Sequence, residues 1–418
     1  MELKRVVVTG LGAITPLGNT VSETWDNLIN GKSGAGPITR FDTSKFKTQF
    51  ACEVKGFDPT DVMDKKEVRR CDLYTLYALK SAKEAITDAG LEAETVDKNR
   101  VGVIFAAGIG GIKTFEDEIL GYNEERGPRF NPFFIPKMIS DIAAGRISMV
   151  YGFRGPNFAT VSACASSTNA ISDAFNYIRL GKANAIVTGG AEAAITFSGL
   201  GGFNAMNACS VRNDAPEQAS RPFSASRDGF VMGEGSACLV LEELEHALAR
   251  GAKIYAEVVG TGLSADAYHL TASHPEGLGA KLVMRNALED AEMKAEDIDY
   301  INVHGTSTPV GDISESKAIL DVFGEHAYKL NISSTKSMTG HLLGAAGALE
   351  ALVCVMAVKE DIVPPTINFT EGDEDPEIDY NLNFTFNKAQ HRTVNAALSN
   401  TFGFGGHNAS AIVKKFKG

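Results

Sequence analysis

Three side chains stand where chemistry would need them. Cys164 interrupts Phe158-Ala-Thr-Val-Ser-Ala-Cys164-Ala-Ser-Ser-Thr-Asn-Ala-Ile171, where a β-branched run gives way to small and apolar residues at helical spacing. The pattern predicts a strand, a sharp turn and a helix beginning at the cysteine. A thiol there meets the positive end of the helix dipole and unpaired backbone N–H groups, which favours the nucleophilic thiolate. The alternative reading is a small buried hydrophobe, the ordinary role of a free cysteine. His304 ends the apolar run Tyr300-Ile-Asn-Val303, at the carboxyl end of a strand where parallel sheets place active-site groups. His341 lies in the glycine-rich segment Ser337-Met-Thr-Gly-His-Leu-Leu-Gly344 that leads into an apolar helix. Either histidine alone reads as well as a structural one.

A hydrolase needs one histidine to activate its nucleophile and a third group to orient it. A condensation that decarboxylates its donor has a different need, because an enolate oxygen must be held while the new carbon nucleophile forms. Two neutral imidazole N–H donors do this, each such donor being typically worth roughly 2.7–4 kcal/mol, and apolar surroundings keep them unprotonated. Glu350 falls in Ala345-Ala-Gly-Ala-Leu-Glu-Ala-Leu-Val-Cys-Val-Met-Ala-Val358, a helix apolar nearly all round. A carboxylate buried there needs a partner, and Lys336 is a candidate for the electrostatics of the site, against the default of a surface lysine. Asn400-Thr-Phe-Gly-Phe-Gly-Gly-His-Asn408 is a glycine-rich loop suited to close backbone approach. In it Phe402 offers an N–H to an oxyanion and a ring to close a tunnel, while His407 reads as structural.

The remaining residues bound the setting. At 418 residues the chain needs two domains or one duplicated architecture. Six cysteines without a CxxC pair argue against a disulfide framework and a zinc site, and for a reducing compartment. A net charge of −12 repels nucleic acid and anionic membrane. Thr9, Gly10 and Pro16 break the amino-terminal apolar run too soon for a signal peptide or membrane span, so the expected location is cytoplasmic. Against this acidic background Lys65-Lys66-Glu-Val-Arg69-Arg70 is either a dock for an acidic partner or a solvated helix face. Gly10-x-Gly12 hints at dinucleotide binding, but Pro16 and the missing third glycine weaken it.

Strand and helix patterns alternate through residues 1–251 and repeat in the same order through 252–418, which implies an α/β fold of two duplicated halves with parallel sheets covered on both faces. The helices after Cys164 and Lys336 take corresponding places, so their termini converge on one site.

Together, Val161-Ser-Ala-Cys164-Ala-Ser-Ser, His304-Gly-Thr-Ser-Thr-Pro with Gly311-Asp312, Lys336-Ser-Met-Thr-Gly-His341 and Gly403-Phe-Gly-Gly-His-Asn408 closely resemble the β-ketoacyl-acyl-carrier-protein synthases, over essentially the whole chain. Asp266-Ala-Tyr-His-Leu-Thr271 and the Phe402 region are more similar to the elongating type II class than to type I. The resemblance implies a thiolase-like fold with a layered α-β-α-β-α core. It also implies an acyltransferase that condenses an acyl group on Cys164 with malonyl-carrier, giving 3-ketoacyl-carrier and CO2 in fatty-acid elongation. His304 and His341 become the decarboxylation pair, Lys336 supports His341, and the N–H groups of Cys164 and Phe402 form the oxyanion hole. Thr306 and Thr308 would bond the phosphopantetheine arm of the carrier, no cofactor or metal being bound by the enzyme itself. Ile109, Phe134, Phe203 and Phe402 would line the acyl pocket, with Phe134 reaching in from the second subunit of a homodimer. Thr271 joins the substrate residues, and Glu350 and Asp312 stand near the site as structural carboxylates. Lys65, Lys66, Arg69, Arg70 and Arg129 become contacts for the acidic carrier, although a basic residue common after Phe203 is Asn207 here. A degradative thiolase would want a second cysteine in the last glycine loop, a chain-length factor would lack Cys164, and a specialised polyketide synthase would share every catalytic residue.

Overall fold

The computed structural model describes residues 3–123, 125, 127 and 129–418. Strands β1 (Val6–Ile14), β2 (Val101–Ala106), β3 (Asn157–Phe158), β4 (Ala185–Glu192) and β5 (Gly235–Glu243) come from the first half of the chain. Strands β6 (Ala256–Ala265), β7 (Tyr300–Asn302), β8 (Asn331–Ser333), β9 (Ala396–Gly403) and β10 (His407–Lys414) come from the second. They form a ten-stranded sheet in the order β8-β7-β9-β10-β6-β1-β5-β4-β2-β3. Outward from the β1/β6 junction, each half presents its own first, fifth, fourth, second and third strand.

The helices that concern the site are α1 (Leu73–Ala89), α2 (Ile112–Leu120), α3 (Phe134–Met138), α4 (Ile142–Tyr151), α5 (Ser166–Arg179), α6 (Leu278–Asp290), α7 (Pro309–Phe323) and α8 (Ala346–Glu360). Alternation along the strands decides the layers. Ile104 and Ala106 of β2, Leu239 and Leu241 of β5, Ala397 of β9 and Ala411 of β10 share a core with α5 and α8. Their neighbours Val103, Phe105 and Val240 face α1 and α4 instead, and Leu398 and Ile412 face α6 and α7. The two central helices are thus covered by a half-sheet on each side, with helices outside both: the five layers of the thiolase-like α/β core.

The expectation of parallel sheets needs correction. Only β2 with β3 and β4, and β7 with β8 and β9, are parallel. The pairs β4/β5, β5/β1, β1/β6, β6/β10 and β10/β9 are antiparallel. The reason is plain in the second half, where β9 and β10 are joined by the short Phe404–Gly406 turn. A hairpin of that length cannot make the crossover that parallel pairing requires. Gly10 and Gly12 also receive a structural role here: a Cβ on them would lie 2.2 Å from the Ala85 carbonyl oxygen and 1.9 Å from that of Ser81. These glycines let β1 lie against α1. Among the described residues, no helix is long and apolar enough to cross a membrane.

Candidate active site

Cys164 stands on a turn tighter than the sequence suggests. Strand β3 ends at Phe158 and α5 begins at Ser166, so the β-branched run after Phe158 is not strand and the helix starts two residues beyond the cysteine. Ala163 takes a left-handed φ of 51°. The Ser166 hydroxyl secures the turn by donating to the Ala163 carbonyl at 2.6 Å and accepting the Ser162 N–H at 2.9 Å. The β9–β10 hairpin lies against it, and a Cβ on Gly403 would meet the Ser162 carbonyl oxygen at 2.7 Å and the Cys164 nitrogen at 3.1 Å.

The electrostatics of this thiol also differ from expectation. Burial pushes the Cys164 thiol up to about 12, opposed by the Lys336 charge and by a hydrogen bond from the Phe404 backbone N–H. Exclusion from water, with the Glu192 and Glu350 carboxylates adding to it, outweighs Lys336 and the Phe404 N–H and favours the thiol over the thiolate in the free site. Phe404, which the sequence did not single out, supplies the N–H that meets the sulfur. Phe402 meets the site through its ring, 5.5 Å from that of His304.

His304 follows β7, and its backbone is held by α7. The N–H groups of His304 and Gly305 donate to Glu315 at 2.9 and 2.8 Å. His341 is held by the chain beside it, donating its N–H to Val231 at 2.7 Å and accepting from Gly233 at 2.9 Å. The two imidazoles stand edge to face with centroids 5.3 Å apart, and Phe230 packs 5.5 Å from His341. Burial, reinforced by the Lys336 charge, holds both far below the usual histidine value, and His341 adds to the effect on His304. Both rings are therefore neutral, with Nδ1 of each buried without a hydrogen-bond partner among the described residues. Lys336 is 1 % exposed, not a surface residue. Its ammonium pairs with Glu350 of α8, whose carboxyl burial pushes up to about 7 against the pull of Lys336.

One cavity of about 660 Å³ collects most of the expected residues. Cys164, His304, His341, Phe402, Ile109, Phe203, Thr271, Thr306 and Thr308 all line it. The two threonine hydroxyls lie 3.1 Å apart. Other expected residues stand outside. Phe134 is on α3, stacked on Phe130 at 5.6 Å, and does not line the cavity of its own chain. Asp312 lies beneath the threonine loop, where it accepts the Phe223 N–H at 2.8 Å, and burial pushes it up to about 6 against the pull of Arg227.

Among the basic residues, Lys65, Lys66, Arg69 and Arg129 are exposed. Arg70 is engaged within the chain, paired with Glu67 and lying 4.9 Å over the Phe133 ring. Asn207, at the cavity wall, accepts a hydrogen bond from Lys47 at 2.8 Å, so a cation from a distant segment stands beside the position where a basic residue was expected.

Two further carboxylates escaped the sequence reading. Glu315 anchors His304 as described, and burial pushes it up to about 7. Glu192, at the end of β4, is fully buried and accepts backbone N–H groups from Gly108 at 2.9 Å, Ile109 and Gly110 at 3.1 Å and Gly344 at 3.1 Å. The one signal available was a charged residue closing an otherwise apolar strand.

Comparison with known proteins follows the same lines. Residues 3–247 match the family model of the beta-ketoacyl synthase N-terminal domain, and residues 255–370 that of the C-terminal domain. A 3-oxoacyl-[acyl-carrier-protein] synthase 2 from Synechocystis sp. is 49% identical, covering 100% of this chain and 99% of its own. One of the same name from Coxiella burnetii is 49% identical over 99% of both chains. Among solved structures, a beta-ketoacyl synthase from Burkholderia phymatum superposes with a TM-score of 0.90 at 36% identity, covering 99% of this chain and 100% of its own. A type II polyketide ketosynthase solved in complex with its acyl-carrier protein gives a TM-score of 0.90 at 32% identity, with the same coverage.

Proposed function

The chain belongs to the β-ketoacyl synthase family, and from that premise we propose that it is a 3-oxoacyl-acyl-carrier-protein synthase of the type II class, extending fatty acyl chains by condensation with malonyl-carrier. The observation that carries this reading is one cavity lined by a cysteine and two neutral imidazoles. In the first step the Cys164 sulfur bonds to the acyl carbonyl carbon, the carrier's C–S bond breaks, and the thiol proton leaves with the carrier thiol. In the second, malonyl-carrier loses CO2 while His304 and His341 hold the thioester oxygen as the enolate forms. The enolate carbon then bonds to the acyl carbon, the bond from that carbon to Cys164 breaks, and the departing sulfur takes up one proton from water. Burial, with the Lys336 charge adding to it, keeps the imidazoles unprotonated. No bound cofactor or metal is required, since both reacting groups arrive on the carrier's phosphopantetheine. Identity of 49% to the two relatives named 3-oxoacyl-[acyl-carrier-protein] synthase 2, against 32% to the polyketide ketosynthase, favours fatty-acid elongation over a specialised pathway.

The reading extends to a cytoplasmic homodimer. All six cysteines are free and buried, as suits a reducing compartment. Exposed apolar side chains gather on neighbouring helices, with Leu120 of α2 71% exposed, Ile135 of α3 55% and Met149 of α4 63%. That face suits a second copy of the chain, and Phe134 belongs to it.

Carrier protein of acidic charge would dock through Lys65, Lys66, Arg69 and Lys47. Lys47→Glu is expected to raise KM for carrier-bound substrate about three- to tenfold with little change in kcat. An acyl-pantetheine substrate without the carrier should be unaffected, and an equal rise for both would remove Lys47 from the dock. The reaction itself is tested by supplying carrier protein loaded with malonyl and with acyl groups of varied length, and following 3-ketoacyl product by mass. No product with any primer would overturn the assignment.

A further inference from the structure

Glu192 is a buried carboxylate with no part in the chemistry above. It sits at the carboxyl end of β4, and its hydrogen-bond partners among the described residues are four backbone N–H groups from two segments distant in sequence. Three are consecutive, from Gly108, Ile109 and Gly110, and the fourth is from Gly344. Consecutive N–H groups converging on one anion form a nest, which fixes the backbone that makes it. The packing is close enough to exclude side chains. A Cβ on Gly108 would lie 2.8 Å from the Glu192 Oε2, and one on Gly344 only 2.1 Å from the Gly108 nitrogen.

Both segments end in the reaction cavity. Ile109, 38% exposed, lines it, and Leu343, held at a left-handed φ of 50°, lines it between His341 and Gly344. A bulky residue keeps such a backbone only where its surroundings over-determine it, and the Gly344 N–H bond to Glu192 is one of those constraints. A carboxylate placed in a core with only neutral dipoles around it is costly, so the position calls for a reason beyond packing.

We propose that Glu192 is a positioning residue that ties the wall contacting the acyl chain, at Ile109, to the segment carrying His341, so that acyl-chain occupancy and the decarboxylation site share one anchor. This rests on the condensing reaction proposed above and goes beyond it in assigning a residue to the link between its two half-reactions. An acyl chain that displaces Ile109 pulls on the nest, and through the shared carboxylate on Gly344 and Leu343.

The test compares the wild type with Glu192→Gln, which keeps size but turns an amide N–H toward donors, and with Glu192→Asp, which keeps the charge one methylene short. Condensation is measured with acetyl-carrier and with primers of eight to sixteen carbons, alongside Ile109→Ala and the double variant. Glu192→Gln is expected to lower kcat/KM for the long primers about tenfold, with acetyl primer within about threefold. Glu192→Asp should show the same length dependence more weakly. In the Ile109→Ala background the long-primer loss should largely vanish, because coupled residues are non-additive. Losses that are equal for every primer, or that add to those of Ile109→Ala, would reduce Glu192 to a stabilising residue and overturn the proposal. Wild-type protein inactive with every primer would instead refute the condensing reaction itself, so the two failures are distinguishable.

Discussion

Cys164→Ala is expected to abolish both acyl uptake and condensation, to below the detection limit of a mass assay that resolves the acylated enzyme. Nothing else in the cavity replaces the sulfur. The other described cysteines lie outside its walls, and Ser162 and Ser166, the nearest hydroxyls in sequence, are both buried in the turn. The fold should survive, since removing one sulfur from a site that already borders a cavity costs little packing. An unchanged unfolding midpoint together with lost acylation is the expected pair of results. Residual acylation at another residue would displace Cys164 from its role.

His304→Ala and His341→Ala should separate the two half-reactions. Each variant is expected to retain measurable acyl loading while CO2 release from malonyl-carrier falls by about 10²–10³, the loss usual for one donor to a developing oxyanion. Equal loss of acylation in both would contradict this division. The state of the rings adds a pH dependence with a definite sign. Both are held well below the ordinary value of 6.5, so decarboxylation should stay flat from pH 8 down through 6.5 instead of declining as an unperturbed histidine would. The same shift costs stability in acid. Below pH 6.5 the unfolded chain takes up protons that the buried rings refuse, so the native state loses its advantage as pH falls toward their depressed values and keeps it above 6.5. A decarboxylation rate halved near pH 6.5 would show that the rings titrate normally.

The site was legible in the sequence wherever a side chain with chemistry stood in a backbone context that announces itself. Cys164 came with a turn, His304 with a strand end, His341 with flanking glycines, and the burial of Glu350 followed from the apolar helix around it. What stayed hidden acts through backbone. Glu315 and Glu192 grip N–H groups, and Phe404 donates one, so none of them forms a side-chain pattern that periodicity could reveal. The helix start was misplaced because small residues such as Ala165 suit a tight turn and a first helical turn equally well. Strand direction was misjudged because alternating element types indicate layers but do not reveal where a hairpin replaces a crossover. The upward push on the thiol was not legible in the sequence for an electrostatic reason: nearness to a helix start is local in sequence, whereas exclusion from water is a property of the whole fold.

The central helices have a consequence for how the chain is made. The inner faces of β1, β2, β4 and β5, together with α5, find much of their cover in α8. The ribosome delivers that helix only after the first half is complete, roughly 5–20 s later at ordinary elongation rates. During that interval the nascent first half presents an apolar surface with no native partner, and β1 offers Val6–Val8 as an open edge awaiting β6. The molecule most exposed to misassembly is therefore the half-translated chain, and the length of that exposure is set by how far α8 lies beyond the end of the first half.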